Sequence, residues 1–573
     1  MTKLLGTLLS FIFFIPLMAQ EPEKRIVKKD SSNKYTDSIR SLPPLEIRSI
    51  RVSEQAPFAK TNISKAQIAL NNVGQDLPFL LENTPSVVVH ADAGIGVGYT
   101  GIRIRGTDAT RINFTLNGIP YNDAESMGTF FVNIPDFGSS VNSIQIQRGV
   151  GTSTNGAGAF GASVNLMTNE YNPTAYLSLQ NTAGSFNSFK NNVVFGSGLI
   201  NNKFTIDGRV SSIRSDGFID RAYSDLKSFF LSSTYWGDNS SLRLNIFSGK
   251  ERTYQAWYGV PQELLATNRT FNPAGTEKAD VPYENQTDNY TQTHYQLFYN
   301  EQINTNWKWN TAFFLTTGKG YYEEYKAGVD FADYNIDIKG KINVPADLVR
   351  RRWLDNNFYG QITAVSYVDS LNDLTIGGGW TVYDGLHFGT LPYLSQTFAP
   401  ANFRYYDNDA IKKERNSYVK WERKLSKQFK SFLDLQYRYV SHQMNGFTRN
   451  TDLEIERKFN FFNPKMGLTY QAKNIFYYTS VAVANKEPNR DDFEASATEQ
   501  PRREQLVDWE TGFELKKPKY AINANVYYMN YKDQLVLTGK INDVCAYTRT
   551  NVPKSYRAGI ELQVKYALNK KYS

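Results

Sequence analysis

The sequence predicts a mainly β protein: a transmembrane antiparallel β-barrel preceded by a small α+β domain. Three observations lead there. Aromatic residues make up 14% of the chain, with 37 Tyr and 36 Phe, yet mean hydropathy is -0.48. Barrels in lipid need aromatic girdles at both interfaces and a polar interior behind them, whereas soluble enzymes rarely carry so much tyrosine. Segments that alternate apolar and polar residues recur throughout the chain after Pro173. Beyond the N-terminus no continuous apolar run reaches the roughly 20 residues a membrane helix needs, and a membrane protein without such helices must be a barrel.

The first elements direct export. Lys3 supplies a positive n-region, Leu4 to Pro16 is apolar, and Leu17-Met18-Ala19 ends in a small residue, so residues 1–19 read as a signal peptide. No cysteine follows that a lipoprotein anchor would require. Residues 20–43 are polar and without periodicity, a flexible tail on the periplasmic side. In 44–52 the residues Leu45, Glu46, Ile47, Arg48, Ser49 and Ile50 alternate behind two prolines, as a strand offered to another sheet would.

Residues 53–170 read as a compact domain with glycine-rich loops. A short helical region is expected from Asn71 to Asn83, then strands at Ser86 to His90, Ile102 to Arg105, Ile112 to Leu116 and Ser143 to Gln147. Asn117-Gly118 after alternating apolar residues is a strong hairpin signal. From 171 to 573 the texture is that of barrel strands. Phe204, Ile206 and Val210 alternate with Thr205, Asp207 and Arg209, and Ile560, Leu562 and Val564 with Glu561 and Gln563. A soluble β-sandwich would not need so many strands.

Composition also excludes classes. The single cysteine, Cys545, rules out an intramolecular disulfide framework and any cysteine-based cluster. His90, His294, His387 and His442 have no metal-ligand spacing, so no metal or cofactor is expected. No nucleophile–base constellation supports an enzyme, and no basic block interleaved with aromatics supports nucleic-acid binding. Gly156-Ala157-Gly158-Ala159-Phe160-Gly161 has the letters of a dinucleotide fingerprint, but a strand-like segment follows where a helix is required, and Asn181 stands near the acidic position.

The motifs, in their order and spacing, resemble the TonB-dependent outer-membrane receptors, of the type common in Bacteroidota. The resemblance rests on Ile104-Arg105-Gly106, Leu116-Asn117-Gly118-Ile119-Pro120, Ile144 to Gly149, Gly156 to Ala162 and Val164-Asn165-Leu166 in the first domain. In the barrel it rests on Asn485 to Phe493 and Glu504 to Gly512. It implies that residues 53–170 form a plug inside the barrel lumen and that Leu45 to Ile50 act as the TonB box, pulled by the TonB–ExbB–ExbD complex of the inner membrane. It further implies a plug-to-barrel lock of Arg105 and Arg148 against Glu510 and Glu561. Strand parity supports the barrel half, because Trp509 and Phe513 would face lipid and leave Glu510 inward. Parity is adverse for Arg148, which shares a face with Ile144 and Ile146 unless a bulge intervenes.

The implied function is energised import of a scarce ligand, foremost a ferric siderophore or iron chelate, with cobalamin, haem or a peptide as other cargoes of the family. Ligand contacts are expected on outward plug loops, at His90, Asp92, Tyr99, Tyr121, Asp123 and Glu125, and on a barrel loop at Tyr254, Trp257 and Tyr258. Partners are outer-membrane lipid, the metal chelate and a surface lipoprotein that caps the receptor. The competing class is a passive porin or adhesin barrel, which would have neither plug nor TonB box. Family barrels have about 22 strands. The residues after Pro173 suffice for about 16 at roughly 25 per strand and loop, so the sequence is expected to stop several strands short.

Overall fold

The computed structural model describes residues 51–567 apart from 157, 169–170, 338–344, 397–398, 449, 495–499 and 542–546. The expected signal peptide, the tail, Leu45 to Ile50 and Cys545 lie outside the described residues.

The N-terminal domain contains β1 (Lys60–Ser64), α1 (Lys65–Asn71), β2 (Val87–Ala91), β3 (Thr100–Ile104), β4 (Ile112–Leu116), β5 (Ile119–Pro120), β6 (Ser143–Arg148) and β7 (Ala162–Met167). Five strands form one sheet in the order β1-β6-β7-β4-β5, with β4 and β7 parallel, while β2 and β3 pair separately. Asn117 and Gly118 both take positive φ, 57° and 86°, as the two-residue hairpin between β4 and β5 demands. The helix lies earlier than the sequence suggests. Ser64 and Gln67 close a capping box that starts α1 at Lys65. Gly74 at φ 128° and Pro78 prevent its continuation, leaving a single 3-10 turn over Leu77–Leu81.

Alternation in this sheet does not separate core from solvent, because both faces are buried. Ile112, Phe114, Ile144, Ile146, Val164 and Leu166 build the apolar core on one face. On the other, Asn113, Thr115, Gln145, Gln147, Asn155 and Asn165 are buried and bond to one another, for instance Thr115 Oγ1 to Asn165 Oδ1 at 2.6 Å and Asn165 Nδ2 to Asn155 Oδ1 at 3.0 Å. The domain is a plug: its core continues directly into Phe230 and Phe247 of the surrounding wall.

That wall is one antiparallel sheet of 16 strands among the described residues, from β8 (Ala175–Gly184) to β23 (Tyr547–Tyr566), each paired with its sequence neighbours, with β8 and β23 at its two edges. Strand parity is that of a membrane barrel. Ile206, Val210, Leu242, Leu244, Trp509 and Phe513 are exposed on the outer face, while Thr205, Arg209, Arg243, Asn245 and Glu510 between them are buried inward. Turns at one end are short. At the other end connections such as 255–286 between β12 (Ser240–Tyr254) and β13 (Thr287–Gln302) are long, which marks the extracellular side. Several strands run to 23 residues, including β14 (Trp307–Val329) and β15 (Ala346–Val368), so the wall rises well beyond the bilayer on that side.

Candidate functional site

Where plug meets barrel, the decisive contacts are buried ion pairs. Arg105 follows β3 with φ 50°, a left-handed conformation unusual for a side chain other than glycine, and Gly106 continues at φ 70°. This turn aims the guanidinium outward. Its Nε and Nη2 donate to Glu561 at 3.0 and 3.1 Å, its Nη1 donates to Glu510, and its Cζ lies 4.0 Å from the ring centre of Tyr527. Arg148 Nε donates to the same Glu561 carboxylate at 3.0 Å, and its Nη1 to Thr61 Oγ1 at 2.7 Å. All four charged side chains are buried. Taking such charges out of water is costly, so the arrangement is stable only while each keeps its partners.

The parity objection to Arg148 has a simple resolution. The register of β6 runs without a bulge, and Thr61, which Arg148 bonds, stands opposite Ile146, so Arg148 keeps the parity of the apolar face; as the last residue of β6 it lies at the end of that face, where its guanidinium reaches Glu561. A Cβ on Gly149 would stand 2.3 Å from both Asp508 Oδ2 and Glu510 Oε1. The backbone can approach the carboxylates only because that residue has no side chain.

Further pairs ring the plug. Arg111 donates to both oxygens of Glu504, Asp136 faces Lys190 at 2.6 Å and Arg209 at 3.3 Å, and Ser153 bridges Asp434 and Lys465. The sequence reading missed these, although Arg111 and Asp136 sit in the plug and their partners at inward positions of alternating strands.

The expected ligand residues separate into three groups. Tyr99, Trp257 and Tyr258 come together: Tyr99 packs edge-on to Trp257 at 5.4 Å, Trp257 lies 6.3 Å from Tyr258, and Tyr99 donates to Asp288. Trp257 is half-buried and Tyr258 is exposed, so this surface is open. Tyr121 and Tyr254 instead belong to the packing. Tyr121 donates to the Phe130 carbonyl at 2.5 Å within the plug core, and Tyr254 donates to the Tyr283 carbonyl at 2.7 Å. Asp123 is engaged by its own loop, accepting from Ser126 N at 2.7 Å, and Glu125 is buried against the barrel. His90 is exposed on β2 with its ring over Gly101; burial, then Arg103, pushes its imidazole pKa down. Asp92 is half-buried, its carboxyl pushed up to about 6 by burial.

Beside Trp257 lies a feature the sequence reading did not single out. β14 and β15 place Tyr322, Glu323 and Glu324 opposite Arg352, Arg351 and Arg350. Arg351 donates to Glu323 at 2.6 Å, Arg350 to Glu324 at 2.9 Å and Arg352 to the Tyr322 hydroxyl at 2.9 Å, while Trp257 meets Tyr322 at 6.1 Å. Three successive arginines opposite Tyr-Glu-Glu were the available signal. Among the described residues no group of three or more His, Cys, Asp and Glu is placed to hold a metal ion.

A membrane barrel whose lumen is filled by a domain of its own chain, fastened by buried ion pairs, is the architecture of a plugged outer-membrane receptor. The chain matches the family model for the TonB-dependent receptor plug domain over residues 52–163 and that for the TonB-dependent receptor-like β-barrel over 264–573, and it belongs to the TonB-dependent receptors. This family of receptors and transporters resides in the outer membrane and works with TonB. No curated protein matches the sequence. In fold the chain is similar to the ferric-catecholate import receptor Fiu of Escherichia coli K12, with 14% identity over 90% of this chain and 78% of that one, TM-score 0.67. It is also similar to the ferric yersiniabactin uptake receptor FyuA of Yersinia pestis, with 12% identity, 91% and 79% coverage and TM-score 0.66. The copper transporter OprC gives 12% identity, 89% and 78% coverage and TM-score 0.70.

Proposed function

We propose that the protein imports a scarce ligand, foremost a ferric siderophore or another iron chelate, by TonB-driven displacement of the plug. The observation that carries this reading is the buried fastening of Arg105 and Arg148 to Glu510 and Glu561. A lumen closed by such contacts does not pass a chelate by diffusion, and work from the periplasmic side is the available means of opening it. On this reading the quartet is the plug lock and Leu45 to Ile50 the TonB box. Domain limits at about 53 and 170 follow from the same division of labour.

Two things favour an iron chelate as cargo. Fiu and FyuA are receptors for ferric compounds by their descriptions. The surface around Trp257, Tyr258 and Tyr322, with Arg350 and Arg352 on the same face of β15, combines aromatic rings and guanidinium groups, which suit a flat, anionic chelate. Deletion of Leu45 to Ile50 tests the mechanism. Uptake of ⁵⁵Fe-loaded catecholate by cells relying on this receptor is expected to stop while binding persists; uptake undiminished by the deletion supports a passive porin instead.

A further inference from the structure

The outward plug loop 121–131 is built as a rigid unit. Asp123 Oδ1 accepts from the backbone N–H of Glu125 and Ser126 at 3.1 and 2.7 Å, Asn122 Nδ2 donates to the Met127 carbonyl at 3.0 Å, and Met127 takes φ 59°. From this unit one carboxylate projects into the barrel. Glu125, 2% exposed, accepts from His387 Nε2 at 2.6 Å and Arg490 Nη1 at 3.0 Å, with His442 Nε2 at 3.7 Å. Two of the chain's four histidines therefore converge on one plug carboxylate.

The backbone around Glu125 is gripped as well. Three successive carbonyls each accept from a barrel donor: Ala124 from Lys412 Nζ at 2.7 Å, Glu125 from the Arg490 N–H at 3.1 Å and Ser126 from Asn489 Nδ2 at 3.0 Å. Asn489 and Arg490 belong to a barrel loop that folds inward after β20 (Ile475–Lys486) and buries Phe493 beneath it. Burial alone would push the Glu125 carboxyl up, but His387 and Arg490 overcome it and hold the group well below the ordinary range. This anchor has the opposite polarity to the one at Arg105 and Arg148: here the plug supplies the anion and the barrel the cations.

The same loop borders a cavity of about 140 Å³ between plug and wall. Asp123, Ala124 and Met127 line it together with Asn113 and Ser153 of the plug, and Thr381, Glu414 and Arg438 of the wall face them. The plug's contact with the wall near β12 is different in kind. There Phe137 packs on Phe230 and Phe247 at 6.3 and 5.2 Å, and Phe247 stacks on His294 at 4.4 Å, a close-packed seal of rings. A compartment that is already open requires fewer contacts to be broken than that seal does.

We propose that loop 121–131 is the outer gate of the transit path, that Glu125 is its latch, and that the cavity along the Thr381 side is the compartment a chelate enters when the latch opens. Glu125 is on this view a positioning residue, since it holds the loop and need not touch the ligand. The proposal rests on the import reading above, but its test requires neither ligand nor TonB, so the two can fail separately.

The test uses whole cells and a membrane-impermeant maleimide in a Cys545→Ser background. Thr381→Cys reports on the cavity, and Asn245→Cys, on β12 two residues from Phe247, reports on the wall at the seal of rings. Glu125→Gln is expected to raise the labelling rate at Thr381→Cys at least tenfold and to leave Asn245→Cys unchanged. His387→Gln, which keeps the plug carboxylate, is expected to act in the same direction and replaces Glu125→Gln should that barrel fail to assemble on an unheated gel. Labelling at Thr381→Cys unaltered by the latch variants overturns the gate. Equal acceleration at both positions overturns it too, because Glu125 would then hold the plug as a whole.

Discussion

Arg105 and Glu561 meet through two parallel hydrogen bonds, Nε to Oε1 and Nη2 to Oε2, although 456 residues separate them in the chain. The pair is bidentate and buried, and Glu561 is shared with Arg148. One carboxylate thus holds two plug arginines arriving from different strands.

Glu561→Gln should therefore weaken the plug more than Glu510→Gln. It leaves two buried guanidinium groups without their common counter-charge, a loss on the order of 3–5 kcal/mol for a broken buried pair. Pulling the plug from the N-terminus in a single-molecule experiment is expected to show release at least about tenfold faster for Glu561→Gln. Identical release rates for the variant and the parent would remove the quartet from the mechanism.

Gly149→Ala should prevent proper seating of the plug, because its Cβ would collide with Asp508 and Glu510 at 2.3 Å. Gly259 is the matched control: it also has positive φ, 76°, but nothing lies within 4 Å of its Cβ position. Limited proteolysis from the periplasmic side is expected to cut the plug of Gly149→Ala and to spare that of Gly259→Ala. Equal resistance in the two would contradict the steric account.

A pH dependence follows from Asp76. This plug carboxyl is buried, its Oδ1 has no partner among the described residues, and burial raises its pKa from 3.8 to about 8 despite the hydrogen bond from Thr100. Between about 4 and 8 the folded plug keeps a proton that the unfolded chain has released, so the plug's stability falls as pH rises across that window. Asp76→Asn should flatten this profile and stabilise the plug at pH 8 but hardly at pH 4. Calorimetry of the purified receptor at both values decides it, and a slope that survives the substitution assigns the effect to another group.

Trp257→Ala should lower affinity for a ferric catecholate about tenfold or more, as loss of an aromatic anchor commonly does. Tyr254→Phe should change it little, since that hydroxyl serves the Tyr283 carbonyl. Titration calorimetry with the purified receptor gives both constants; equal losses would return Tyr254 to the ligand surface.

How far the sequence speaks depends on whether a residue's partner obeys a local period. Glu510 and Glu561 were legible because outward-facing apolar residues set the parity of each strand, Trp509 and Phe513 in one and Ile560 and Leu562 in the other, and alternation assigns a face. Arg148 was ambiguous for the same reason: it keeps the parity of Ile144 and Ile146, and only its place at the end of β6 frees its guanidinium to reach Glu561. Glu125 read as a ligand contact because its loop is outward and polar. Its real neighbours His387, His442 and Arg490 come from three distant segments, and no spacing announces that they converge. Tyr121 and Tyr254 show the limit of composition, since a tyrosine in a loop has the same letter whether its hydroxyl meets a ligand or a carbonyl. The helix expected from Asn71 was displaced because a capping box and a positive-φ glycine outrank propensity over so short a span.

The pairing of β1 with β6 determines how the plug comes apart under tension. Lys60 lies opposite Gln147 and Ser64 opposite Ser143, so a load arriving from the N-terminal side reaches the Lys60 end first. Hydrogen bonds across an antiparallel pair loaded in that geometry peel open in succession, instead of sharing the load as they do in shear. The peeling begins beside Thr61, the residue that holds Arg148. A modest pull would thus strip one support from the arginine before the strain reaches the rest of the sheet.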